Sequence, residues 1–405
     1  MPLGLYISVP FCRTKCSFCN FASGVFSREL FARYVERLCA DIANAGQLAS
    51  DMGGRFDPEV DSIYLGGGTP TVLEPAELER IFAALRTPFR VHADAEITIE
   101  CAPGTLTPAM LDALLRCRVN RVSLGVQSFV DEEARSVGRL HTRAVVLDDL
   151  ARLRAAGITN INLDLIAGLP HQTPDSWEYS LAETIAAGPP HVSVYMLEVD
   201  EDSRLGRELI AGGARYHAHF VPDDDLTADL YLQACDRFDS AGIHQYEISN
   251  FTRSPDHPIT RSPDEFASRH NLKYWTRLPY LGFGVDAHSM LPALARENES
   301  VRWATADSLE RYLAGDPPQP TLVSHAAALE EAYFLGLRLN RGVSQNEMIG
   351  RYGPGAATAF RDQIVELRSL ELIEVTNAAV RLTPRGRLLS NEVFQRFIGD
   401  PRPIA

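Results

Sequence analysis

The strongest constraint on the fold is an alternation in the first 200 residues of this 405-residue chain. Short β-rich runs at Leu3–Val9 and at 62–65, 96–101, 121–126, 160–166 and 191–197 are separated by helical patterns. These patterns fall at 28–45, 75–85, 108–117, 143–156 and 175–187. Pro75, Pro108 and Asp175 stand where a first helical turn tolerates proline or favours an acid. Six βα units in series predict an α/β fold with a parallel sheet and a site at the C-terminal strand ends. The expected architecture is a partial (β/α)6 TIM-like barrel.

After residue 200 the alternation stops. A helix at 225–241 and a strand at 246–248 are expected, then an irregular stretch at 252–268 rich in Ser, Pro and Asp. Pro317, Pro318 and Pro320 read as a linker. Beyond it, helices at 326–338 and 355–370, a hairpin at 372–375 and 380–382, and a helix at 385–397 suggest a small winged-helix-like unit. The expected division is therefore 1–200, 201–300 and 301–405. Arginines and acids nearly balance in the last unit, which has no lysine, so a packing role is favoured over DNA binding. The net charge of −14 argues against nucleic acid as a partner. The apolar start, Leu3–Val9, is too short for a signal sequence, and no integral membrane segment is expected, so the cytoplasm is the default.

Of seven cysteines, three are clustered: Cys12, Cys16 and Cys19, in a loop directly after the first strand. An odd number with one cluster is not a disulfide framework and reads as metal-binding or catalytic. Three thiolates on one loop can hold an iron–sulfur cubane while leaving one iron open to substrate. A structural zinc site would need a fourth ligand, and Cys39 and His92 are poorly placed to supply it.

This CxxxCxxC loop in the first unit of a six-unit barrel resembles the radical S-adenosylmethionine enzymes. The resemblance implies a [4Fe–4S] cluster on Cys12, Cys16 and Cys19. S-adenosyl-L-methionine would sit on the fourth iron, and an electron donor would serve the cluster. Gly66-Gly67-Gly68-Thr69-Pro70 ends the second strand, and three glycines allow close approach of a ligand and expose N–H groups to a carboxylate. In the superfamily this segment holds the methionine end, which carries over to Gly67, Gly68 and Thr69. Glu100 and Gln127 end the third and fourth strands, Asp164 lies in the fifth, and Arg139 follows a loop. All are expected to point into the barrel mouth.

The strings Gly125-Val-Gln-Ser-Phe129, Asn162-Leu-Asp-Leu-Ile-Ala-Gly-Leu-Pro170 and Tyr246-Glu-Ile-Ser-Asn250 extend the resemblance. They are similar to the oxygen-independent coproporphyrinogen III oxidase family over nearly the whole chain. In that family the matching positions, with Tyr6 and Phe18, contact S-adenosylmethionine. Two features separate its branches. The oxidases carry another cysteine where this chain has Phe21, and the family commonly has His where this chain has Ser8. His270-Asn-Leu-Lys-Tyr274-Trp275 instead resembles the HNxxYW signature of HemW-type heme chaperones. That branch implies heme binding and delivery to a heme-accepting protein; the alternative is radical decarboxylation of coproporphyrinogen III. His270 could ligate heme iron, with His288 as a second candidate. Alternatively, Tyr274 and Trp275 pack against the barrel while His270 and Asn271 cap a turn.

Overall fold

A computed structural model describes residues 1–253, 265–296, 299–376 and 379–399, so most of the irregular stretch expected at 252–268 lies outside the described residues. The first six strands are β1 (Leu3–Val9), β2 (Glu59–Gly67), β3 (Arg90–Cys101), β4 (Arg121–Gln127), β5 (Asn160–Ala167) and β6 (His191–Met196). They pair in parallel in sequence order. The helices between them include Arg28–Ala43, Pro75–Leu85, Pro108–Arg116, Arg143–Ala155 and Pro174–Ala187. The helix expected at 28–45 is cut at Asn44, and a second helix, Ala45–Asp51, follows it. Thr173 caps the last of the five main helices and Gly188 ends it in the left-handed region, with φ 63°.

The barrel does not close. β1 bonds to β2 on one side and to β9 (Tyr280–Gly284) on the other, whereas β6 bonds to β5 and β8 (Asn250–Thr252), with β7 (His244–Glu247) outside it. Beyond β9 the sheet continues antiparallel through β10 (His288–Pro292), β11 (Ser300–Ala304) and β12 (Thr321–Val323). The twelve-stranded sheet is thus an open parallel arc with antiparallel flanks, which the sequence pattern did not reveal.

Along β1, Leu3, Leu5, Ile7 and Val9 are fully buried in the main apolar cluster between sheet and helices. The opposite register of the strands carries Tyr6 and Ser8, Ser62 and Tyr64, Thr98 and Glu100, Arg121 and Ser123, Asn162 and Asp164, and His191 and Ser193. A parallel strand covered on both faces normally reads as a continuous apolar run. Here one face is polar, so the inside of the arc is a hydrogen-bonded interior in place of an oily one.

The C-terminal unit has its own apolar cluster around Tyr333, Leu337, Phe360, Val380 and Phe397. Its order is helix His325–Gly336, β13 (Val343–Ser344), helices Gln345–Tyr352 and Arg361–Ser369, β14 (Ile373–Val375) and β15 (Ala379–Leu382), with the small sheet ordered β13-β15-β14. This is the helix–strand–helix–helix–wing order of a winged helix. The last helix, expected as one piece at 385–397, is two short ones, Pro384–Leu388 and Ser390–Gln395.

Candidate functional site

The three cysteines leave the C-terminal end of β1 on a loop tied at both ends. Cys12 N–H donates to Gly24 O (2.8 Å) and Gly24 N–H to Pro10 O (2.8 Å). Lys15 Nζ closes the loop from within, on Phe21 O (3.1 Å) and Ser23 O (2.9 Å). All seven cysteines are free thiols. Burial raises the Cys12 thiol above its ordinary value, and the Cys19 and Cys16 sulfurs add to the rise. Among the described residues no three His, Cys, Asp or Glu side chains are grouped as ligands of one metal ion.

Around this loop the strand ends converge. Thr69 Oγ1 lies 3.9 Å from Cys12 Sγ, and Arg139 Nη1 lies 3.5 Å from Cys16 Sγ, while its other terminal nitrogen donates to Gly125 O. Glu100 accepts from Tyr64 Oη (2.9 Å) and from the Gly67 amide. Burial, then the nearby Asp164 carboxylate, pushes its pKa up to about 7. Asp164 is held by Ser123 Oγ (2.8 Å) and Asn162 Nδ2 (2.8 Å), and burial raises its pKa too. Gln127 sits at φ 68°, rare for a residue other than glycine, and its buried Oε1 has no hydrogen-bond partner. A strained residue with an orphaned acceptor beside Arg139 suits a ligand that donates a hydrogen bond. Phe18 packs under the loop with Val137, Ile166, Leu169 and Leu197. Tyr6, Tyr64 and His270 form a three-ring cluster, with centroids 6.1 Å (Tyr6–Tyr64), 6.3 Å (Tyr6–His270) and 5.5 Å (Tyr64–His270) apart, and burial drives the Tyr6 phenol pKa up.

The glycine turn works differently from the expectation. Its amides are not free for a carboxylate: Gly67 N–H goes to Glu100, Gly68 N–H to Val9 O (2.8 Å) and Thr69 N–H to Phe11 O (2.7 Å). What the glycines supply is space. A Cβ on Gly68 would stand 2.6 Å from Phe11 O, and Gly67 has φ 99°. The turn therefore docks the cysteine loop onto the second strand.

His270 lies away from the cysteine loop. It is 1% exposed, on helix Arg269–Trp275, with Nδ1 3.2 Å from Ser62 Oγ and Nε2 2.9 Å from Tyr274 Oη. Both ring nitrogens are engaged, and burial, with Lys273 adding to it, holds the pKa down to about 3. Ser62 pairs with Gly4 near the strand starts, whereas Gly66 pairs with Ser8 at the ends. At ~3.3 Å per residue the two levels are about 13 Å apart. The signature helix thus plugs the floor of the arc, opposite the cysteines, and His270 has no nitrogen free for iron. Ser268, not His270 or Asn271, caps the helix, by accepting from Asn271 N–H. His288, the second candidate, starts β10 in the open, 4.0 Å from Asp286.

Residues 6–183 match the radical SAM superfamily model, and residues 323–389 match the HemN C-terminal domain. The chain is 32% identical to the heme chaperone HemW of Bacillus subtilis, over 98% of this chain and 99% of that protein. HemW of Synechocystis is 34% identical, over 85% of this chain and 80% of the relative. The chain belongs to the HemW family. Among solved structures it is similar to coproporphyrinogen III oxidase (HemN) of Escherichia coli, described as a radical SAM enzyme. The TM-score is 0.79 at 25% identity, covering 98% of this chain and 90% of that one. The radical SAM match implies a [4Fe–4S] cluster and S-adenosylmethionine. Among the described residues no helix of this HemW-family chain is long and apolar enough to cross a membrane.

Several residues that build the site were missed from sequence. Tyr64 orients Glu100, Ser123 and Asn162 hold Asp164, and Arg121, 2% exposed, puts a cation among Tyr64, Asp164 and His191. The available signal was alternation: polar residues at every second position of strands that should be buried on both sides.

Proposed function

We propose that the chain is a heme chaperone. It would bind heme together with a [4Fe–4S] cluster on Cys12, Cys16 and Cys19 and S-adenosylmethionine, and hand the heme to an acceptor protein in the cytoplasm. The observation that carries this reading is similarity to HemW proteins from end to end, including the C-terminal unit. Within the mouth, Tyr6, Phe18, Gly67, Gly68, Thr69, Glu100, Gln127, Arg139 and Asp164 are the proposed surroundings of S-adenosylmethionine. Gln127 Oε1 is the unfilled acceptor. Glu100 and Asp164 are carboxylates suited to ribose or ammonium donors, and the Arg139 guanidinium steadies a thiolate at Cys16. When bound, the cluster supplies electrons and an open iron; an external donor must reduce it.

A second reading, radical decarboxylation of coproporphyrinogen III, is favoured by the structural likeness to coproporphyrinogen III oxidase. Phe21 and Ser8 stand against it, at positions where the oxidase resemblance calls for Cys and His. The test is anaerobic reconstitution, iron and sulfide analysis, hemin titration, and assay with coproporphyrinogen III in one preparation. The chaperone reading expects iron and sulfide in near-equal amounts, a Soret shift with hemin, and no protoporphyrinogen IX. Turnover to protoporphyrinogen IX would overturn it.

A further inference from the structure

With His270 engaged at the floor, a heme chaperone still needs an axial ligand for iron. Among the described residues His141, His191 and His270 are buried, and their rings are hydrogen-bonded. His92, His244 and His325 are engaged by Glu59, Asp239 and Tyr352 O, and His219 and His288 are exposed single side chains with no second imidazole among the described residues hydrogen-bonded to them. His171 and His217 are different. They come from segments 46 residues apart, and His171 Nε2 lies 3.1 Å from His217 Nδ1.

This pair is built. Both residues have left-handed backbones, at φ 69° and 61°. Such conformations are uncommon outside Gly, although Asn, Asp and His adopt them more readily than other side chains. His171 follows the end of β5 and its N–H donates to Phe220 O (2.9 Å), with its ring stacked 4.2 Å from that of Phe220. Glu208 anchors the other segment by accepting from the amides of Arg215 (2.8 Å), Tyr216 (2.8 Å) and Ala218 (3.2 Å). Helix Arg204–Ala211, which carries Glu208, is itself bound to the cysteine loop through Leu205 N–H to Ser17 O (2.8 Å). The imidazole pair therefore stands on the same rim of the barrel as the cluster loop.

The chemistry around the pair suits heme. Phe220 is 58% exposed, and Leu209 and Ile210 of the neighbouring helix are 48% and 67% exposed, an apolar surface for a porphyrin face. The Arg215 guanidinium lies over the Tyr216 ring (5.3 Å) on an exposed residue and can meet a propionate. If His217 Nδ1–H donates to His171 Nε2, the His217 Nε2 lone pair is left free, and the described residues give it no partner. A ligating imidazole whose other nitrogen is held by a second group is the usual way to fix tautomer and ring plane.

We infer that His217 is the axial ligand of heme iron, through Nε2, and that His171 is its positioning residue. The assignment rests on the heme-chaperone reading. The test is hemin titration of the reconstituted full chain, reading the Soret band, with His217→Gly, His171→Gly and His270→Ala. Glycine suits both left-handed backbones, so these two variants should fold and keep wild-type iron and sulfide. The expected result is at least tenfold weaker hemin binding and loss of the imidazole-ligated spectrum in His217→Gly, restored by added imidazole. His171→Gly should bind more weakly with a displaced Soret maximum, and His270→Ala should keep the wild-type spectrum. Wild-type hemin binding with an unchanged spectrum in His217→Gly would overturn this assignment and leave the chaperone reading standing. Failure of the wild type to bind hemin would overturn both.

Discussion

Replacing His270 with alanine separates a floor plug from a heme ligand. The substitution removes a buried ring and leaves Ser62 Oγ and Tyr274 Oη without their imidazole partner. Two lost hydrogen bonds at ~1 kcal/mol each, with ~1–2 kcal/mol for the space vacated, give a destabilisation of about 3–4 kcal/mol. Unfolding entropy of ~2.1 cal/mol/K per residue amounts to about 0.85 kcal/mol/K if the 405 residues unfold as a unit. Tm should then fall by about 4 °C in a calorimetric or dye-based melt, with the hemin spectrum unchanged. Acid sharpens the test. The wild-type imidazole is neutral when folded, with its pKa held down to about 3, while the unfolded chain takes a proton below about 6.5. Its contribution is fully present above that value and is lost as pH falls toward 3. Between pH 6 and 4 the variant should therefore lose ~1.4 kcal/mol less stability per pH unit than the wild type. An unshifted Tm with a lost Soret band would refute the placement of His270 as a packing residue.

Four further outcomes are expected. Gly68→Ala forces a Cβ against two backbone carbonyls, Phe11 O and Val9 O, neither of which can swing aside, so iron content should fall to less than half. Gly46→Ala, with open space around it, should leave iron content unchanged. In Glu100 the folded pKa of about 7 exceeds the ordinary carboxylate value, so its contribution to stability is fully present below about 4.5 and is lost as pH rises through 7. Wild-type Tm should therefore drop more between pH 6 and 8 than that of Glu100→Gln. Arg277 is buried and bonds Glu331 (2.7 Å), Tyr352 Oη (3.2 Å) and Ser300 Oγ (3.1 Å). Arg277→Ala should cost about 3 kcal/mol and expose the C-terminal unit to limited proteolysis.

What was legible in the sequence was local or periodic. The six βα units, the cysteine spacing and the i,i+4 contact of His270 with Tyr274 all follow from short-range geometry. What was not legible depended on which carbonyl or cavity a segment meets. The glycine triplet has the same composition whether its amides face a ligand or the carbonyls of Val9 and Phe11. β9, read as Tyr-Leu-Gly-Phe-Gly, lacks the alternation that marks a strand, because it lies inside the sheet between β10 and β1 and is buried on both faces. The helix over 28–45 broke at Asn44, where one polar residue interrupts an otherwise helical pattern. The His171–His217 pair carries no spacing signal, since its members meet only when two loops fold together.

The signature helix at the floor grips three bodies at once. Lys273 holds Pro2 O (2.9 Å) and Asp61, the amides of Arg269 and His270 hold Glu96, and Trp275 lies under the Arg338 guanidinium of the C-terminal unit. It behaves as a keystone: any tilt of the C-terminal unit must be felt at the roots of β1, β2 and β3. Alanines at positions 270–275 should lower stability by loosening this packing without touching a ligand. The 270–275 string is then a mark of how the parts of the fold are locked together, and a ligand-binding surface has to be sought at the other end.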